Sequence, residues 1–182
     1  MPRFFIGLMK SAKNRIKNCK RRGEWAELQF LATAAKHGLQ VCKPLGDSAR
    51  YDAVVENQGA FVRVQVKSTT CRKPPGYYVC GVRPSLASAP YKRGEFDFLA
   101  CYVIPEDLWY IIPAKVVLSG VNKSAILLFT ASPASRYAPY KEAWELLRRY
   151  RRRTSRVPEP DHREVAEVMG LAYGEGAAVT QQ

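Results

Sequence analysis

The sequence predicts an α/β domain, a mixed β-sheet flanked by helices. Three observations carry that prediction. Residues 51–68, YDAVVENQGAFVRVQVKS, read as two short strands joined by a tight polar turn. Residues 24–37, EWAELQFLATAAKH, repeat apolar side chains at helical steps. The order of segments is helix, strand, hairpin, further strands, helix, with no internal repeat.

Taken in order, the opening stretch FFIGLMKSAKNRIKNCKRR is basic and free of acids: no Asp or Glu precedes Glu24, while eight Lys or Arg do. Its apolar core, residues 4–9, is too short for a signal peptide and lacks a small-residue cleavage site. The spacing of Phe5, Met9, Ala12, Ile16 and Cys19 suits a basic amphipathic helix. A transit-peptide-like leader and a DNA-contacting or partly disordered arm are further readings. The helix at 24–37 presents Trp25, Leu28, Leu31, Ala32 and Ala35 as its apolar stripe, with Gly38 as its stop and Glu27 off the stripe's centre. A short strand is expected at 39–42 and a loop, PLGDSAR, leads to Tyr51. Beyond the hairpin come a Pro/Gly-rich turn at 72–76 and a strand at 77–82. Residues 83–95 carry Pro84, Pro90 and Gly94 and read as a loop. Buried strands at 96–104 and 108–112 flank the turn Pro105-Glu106-Asp107, and 125–130 forms another. Residues 139–153 read as a helix, with Pro139 in its first turn and Ala143, Trp144, Leu147 and Tyr150 as its stripe. This divides the chain into a basic extension at 1–22, a domain at 23–153, and a linker and C-terminal segment at 154–182. That last part has a short helix at 161–170 and a disordered end.

The formal charge of +13 and a pI near 9.7 point to an acidic partner. A second basic cluster, RRYRRRTSR, spans residues 148–156. Cys19, Cys42, Cys71, Cys80 and Cys101 are an odd, widely spaced set without zinc-knuckle separations, which suits reduced thiols and a cytoplasmic protein. No apolar run reaches the length of a membrane helix, so no membrane partner is expected.

The chemistry concentrates in the hairpin. Alternate strand residues share a face, so Gln65 and Lys67 project together, as do Phe61 and Arg63. An even-numbered turn sets Asp52 opposite Arg63 or Gln65. Asp52, the Gln65 amide oxygen and the Val66 carbonyl are then oxygen donors suited to Mg²⁺, with Mn²⁺ as a substitute. Lys67 would position or deprotonate an attacking water and offset transition-state charge. Glu27, brought in from the helix, would add a ligand or hold a metal-bound water. Taken singly, each residue has a plainer reading: Asp52 as a turn residue, Lys67 as edge protection. Ser48 either touches phosphate or shapes its turn, and Arg63 either binds the scissile phosphate or pairs with Glu56. Tyr77, Tyr78, Arg83, Tyr91, Lys92 and Arg93 are placed to reach a DNA groove or to pack. Arg148, Arg149, Arg151 and Arg152 supply further phosphate contacts.

The segments GEWAELQFLATAAKHG and PLGDSARYDAVVENQGAFVRVQVKST resemble the PD-(D/E)xK nuclease superfamily. They are most similar to its group I intron-associated, homing-type branch with a QxK third motif. DFLACYVIPEDLWYIIPAK and PYKEAWELL extend the resemblance over residues 23–147. It implies a restriction-endonuclease-like sheet, Mg²⁺-dependent cleavage of double-stranded DNA, and an active site of Glu27, Asp52, Gln65 and Lys67. Two positions depart from the superfamily pattern. Tyr51 replaces the proline before the aspartate, and Gln65 stands where most members have an acid. Symmetric cutting favours a homo-oligomer, a dimer or tetramer. Two other readings are a catalytically inactive nuclease-fold protein that binds nucleic acid, and a basic RNA-associated protein.

Overall fold

Asn18 opens the first helix by accepting the Arg21 N–H on its side-chain oxygen at 3.0 Å, a standard cap. Helix α1 then runs Cys19–Lys36, starting five residues ahead of the sequence expectation. The computed structural model describes residues 16–46, 48–83, 89–119 and 124–150. The expectations for residues 1–15 and 151–182, including Arg151 and Arg152, lie outside the described residues.

The face that α1 buries differs from the expected stripe. Ala26, Phe30 and Ala34 are the buried residues, Trp25 and Leu31 pack partly, and Leu28 is 58% exposed with Ala32 and Ala35. The Phe30 ring sets this rotation: it lies between Trp109 and Trp144, with ring centroids 5.7 and 5.8 Å away. Two alanines one turn either side let the helix approach the sheet closely. The rotation also carries Glu27 to the rim of the buried face.

Five strands form the main sheet in the order β1-β2-β3-β6-β7. They are β1 (Gln40–Cys42), β2 (Ala53–Asn57), β3 (Ala60–Thr69), β6 (Phe98–Val103) and β7 (Leu108–Pro113). The first three pair antiparallel, β3 pairs parallel with β6, and β6 returns antiparallel into β7. The sheet is therefore mixed, as expected. A second antiparallel sheet holds β4 (Arg72–Lys73), β5 (Tyr77–Gly81) and β8 (Ala125–Leu128) in that order. A short helix, α2 (Ala114–Leu118), follows β7 and was not anticipated.

At β6 and β7 the main sheet is buried on both faces. Val62, Val64, Phe98, Ala100 and Ile111 pack under α1 together with Trp144 and Leu147. Leu99, Cys101, Val103, Tyr110 and Ile112 pack with the small sheet and α2. Burial on both sides explains why β6 and β7 are continuous apolar runs rather than alternating ones.

The helix expected at 139–153 is broken within the described residues. A 3-10 turn at Ala138–Tyr140 is followed by an isolated bridge, Tyr110↔Lys141, and only then by α3 (Glu145–Arg149). Glu142 interrupts it. It adopts φ +49°, donates its N–H to the Trp109 carbonyl at 2.8 Å, and accepts from Trp109 N at 2.6 Å and Trp144 Nε1 at 2.8 Å. Ala143, Trp144, Leu147 and Tyr150, expected to form the stripe, still pack against the core, from α3 and the residues that flank it.

Candidate active site

A two-residue turn fixes the hairpin register. Gln58 and Gly59 both take positive φ, 50° and 80°, the signature of a tight turn matched to strand twist. Asn57 pairs with Ala60 and Ala53 with Val64, so one step further along Asp52 faces Gln65. Strand β2 stops there while β3 continues. The Val66 N–H, left without a strand partner on that side, donates to Asp52 Oδ2 at 2.7 Å. The Gln65 amide, only 3% exposed, donates to the same oxygen and lies 3.4 Å from the Val66 carbonyl.

Asp52, Glu27, Lys67, Val66, Ser68 and the start of α1 (Cys19, Arg22, Gly23 and Ala26) line a cleft of about 290 Å³. Burial raises the Asp52 carboxyl above its ordinary pKa. The Val66 hydrogen bond pulls it back, the Glu27 charge pushes it up, and Lys67 and Lys43 draw it down. Glu27 Oε2 accepts from Lys43 Nζ at 2.8 Å, and that bond, against some burial, raises the Lys43 pKa, helped by the charges of Glu27 and Asp52. Lys67 is partly buried, with Nζ 5.9 Å from the centroid of the Tyr91 ring, which Arg50 also covers at 5.2 Å. Burial and the Asp52 charge push the Tyr91 phenol upward in pKa, with Arg50 opposing.

All four residues expected at the centre are thus close together: Asp52, Gln65 and Lys67 from the hairpin, Glu27 from α1. Among the described residues no group of three or more His, Cys, Asp or Glu side chains could hold a metal. A metal in this cleft must therefore draw on neutral oxygens as well as carboxylates. The donors fit a hard cation: two carboxylates, a main-chain carbonyl, and an amide that supplies an oxygen when turned. The donor group of Gln65 now sits between Asp52 Oδ2 and the Val66 carbonyl, where positive charge is wanted.

The outer residues fare differently. The Arg63 guanidinium is committed to Asp97, Nε to Oδ2 at 3.1 Å and NH2 to Oδ1 at 3.0 Å, rather than to Glu56 or to an open surface. Glu56 instead accepts the turn N–H of Gly59 at 2.8 Å. Ser48 is exposed in the loop before Asp52, and Lys92 and Arg93 are exposed. Arg148 is held by Glu145 and by the His37 carbonyl at the end of α1, a structural role, while Arg149 is 81% exposed in its side chain with Glu145 3.9 Å away. Of the two readings the sequence left for Tyr91, reaching a groove or packing, the structure shows packing, against Phe96 and beside Lys67. Lys43, Arg22 and Ser68 were missed, because nothing in their spacing relates them to the hairpin until the chain is folded.

A mixed sheet whose central hairpin carries Asp and Gln-x-Lys, with a Glu from the preceding helix, defines a nuclease core. The chain belongs to the PD-(D/E)XK endonuclease family, whose model matches residues 17–147. Among solved structures it is similar to a bacterial homing endonuclease, I-Ssp6803I. The two are 33% identical with a TM-score of 0.60, over 72% of this chain and 91% of the other. A search of curated proteins finds no match.

Proposed function

We propose that this chain is a Mg²⁺-dependent endonuclease that hydrolyses phosphodiester bonds of double-stranded DNA at specific sites, as a homing-type enzyme. The observation that carries this reading is one cleft lined by Asp52, Val66, Glu27 and Lys67, with the buried Gln65 amide bonded to Asp52 beside the Val66 carbonyl. Family membership and the homing endonuclease neighbour support it. Asp52, Gln65, the Val66 carbonyl and Glu27 would hold the ion, with Mn²⁺ able to replace Mg²⁺. When bound, the cation polarises the phosphate and lowers the pKa of water. Gln65 takes part by turning its amide so that oxygen, not nitrogen, faces Asp52. Lys67, held against Tyr91, aligns the attacking water and offsets negative charge as the phosphorane-like transition state forms. Exposed Ser48, Lys92, Arg93 and Arg149, with Arg151 and Arg152, add phosphate contacts without sequence preference. Arg63 stays with Asp97. We also place the enzyme in the cytoplasm, acting as a homo-oligomer that cuts both strands.

Supercoiled plasmid incubated with Mg²⁺ or Mn²⁺ tests this. The wild type converts it to nicked and linear forms, and Lys67→Ala does not. DNA binding by both proteins with no cleavage by either, across varied DNA and both metals, would favour the inactive nucleic-acid-binding alternative. RNA retention that DNA cannot compete away would favour an RNA-associated role.

A further inference from the structure

We propose that Arg22 and Gly23 on α1 form a seat for a backbone phosphate of the DNA, a contact that rests on the endonuclease reading above. Cys19, Arg22, Gly23, Ala26 and Glu27 recur at helical steps of three, four and one, so a single face of α1 forms one wall of the cleft opposite Asp52 and Lys67. Within that wall Arg22 is partly buried, and among the described residues its guanidinium forms no ion pair. Its hydrogen bond goes to the Cys19 thiol at 3.4 Å, a weak acceptor. The two carboxylates of the same cleft are engaged elsewhere, Glu27 by Lys43 and Asp52 by Val66 and Gln65. A cation that lines a cleft with two carboxylates and pairs with neither is free for an anion, and a guanidinium fork matches two phosphate oxygens.

Gly23 is the second, independent observation. It sits inside an 18-residue helix, where glycine is less favourable than alanine. Nothing among the described residues requires it: its φ is not positive and an added Cβ would meet none of their atoms within 4 Å. The helix would be sounder with a side chain there, and the protein has space for one. Because Gly23 lines the cleft, the space it leaves open belongs to whatever enters the cleft. A glycine, having no side chain, lets a ligand come close to the helix backbone at that point. Beside an arginine that forms no ion pair among the described residues, the entering group is the sugar-phosphate chain of the strand being cut.

Four proteins decide the matter: wild type, Arg22→Gln, Arg22→Lys and Gly23→Leu. Each is titrated with a short random-sequence DNA duplex in EDTA at several salt concentrations, and each is assayed on supercoiled plasmid with Mn²⁺. Arg22→Gln should bind about tenfold more weakly and lose about one from the slope of log K against log salt. Arg22→Lys should recover the slope but only part of the cleavage rate, because a point charge replaces the fork. Gly23→Leu should melt higher than wild type yet bind and cut about tenfold less well, an opposition that a merely structural role does not produce. If wild type cuts while Arg22→Gln keeps its salt slope and affinity, or Gly23→Leu cuts normally, the inference is wrong. If wild type neither binds nor cuts, the endonuclease reading itself fails, a result separate from any difference among variants.

Discussion

At Asp52 burial raises the carboxyl pKa, while the Val66 N–H, Lys67 and Lys43 hold it down. A negative charge kept in a half-buried place costs stability that only a cation or a proton relieves. Asp52→Asn keeps an oxygen for the Val66 and Gln65 donors and removes the charge. That variant should melt a few degrees higher than wild type in EDTA, about 1 kcal/mol more stable, while losing all metal-dependent cleavage. Calorimetry with and without Mg²⁺ checks this, and a lower melting temperature in EDTA would contradict it. Arg63 makes the opposite case. Its partner Asp97 has a side chain only 7% exposed, so Arg63→Ala removes the counter-charge of a buried carboxylate and leaves it the main-chain N–H of residue 63 and the Tyr150 hydroxyl. A loss on the order of 3 kcal/mol in urea unfolding is expected. The sequence showed that Arg63 shares a strand face with Gln65 but could not show Asp97, which arrives from a segment 34 residues away.

Among the elements, the hairpin was legible because its alternation and its Gln58-Gly59 turn are local. The sequence left Asp52 opposite Arg63 or Gln65, and the two-residue turn of the folded hairpin decides for Gln65. Gln58 is an uncommon choice at φ +50°, a conformation that Asn adopts more easily. Gln58→Asn should therefore stabilise the protein by about 0.5 kcal/mol with unchanged cleavage, measured by urea midpoint and plasmid assay. The face of α1 was not legible. Its sequence offers two apolar stripes, and the choice between them is made by the rings of Trp109 and Trp144, which are distant in sequence. The break at Glu142 was hidden for a related reason: Glu is a good helix former, and only the Trp109 and Trp144 donors reward it for leaving the helix. Glu142→Ala leaves both donors unpaired and should cost about 2–4 kcal/mol. Folding as stable as wild type would show that the clamp is incidental.

For the whole molecule, a formal charge of +13 predicts that DNA affinity falls steeply with salt. A footprint of about six phosphates lowers affinity about a thousandfold between about 50 and 200 mM salt, and a flat titration would deny a phosphate-based interface. The composition made the class of partner legible, whereas the cleft needed two elements brought together from either side of the Gly38 stop. The buried amide of Gln65 has a consequence at this scale. On the metal-dependent reading proposed above, an amide would bring no charge to the ion, so the protein alone would be an underpowered chelator and a phosphate oxygen from DNA would make up the deficit. Cation and DNA would then each raise the other's affinity by the same factor, as reciprocal linkage requires. Such a nuclease would stay largely unarmed in free solution and become competent where it meets its substrate.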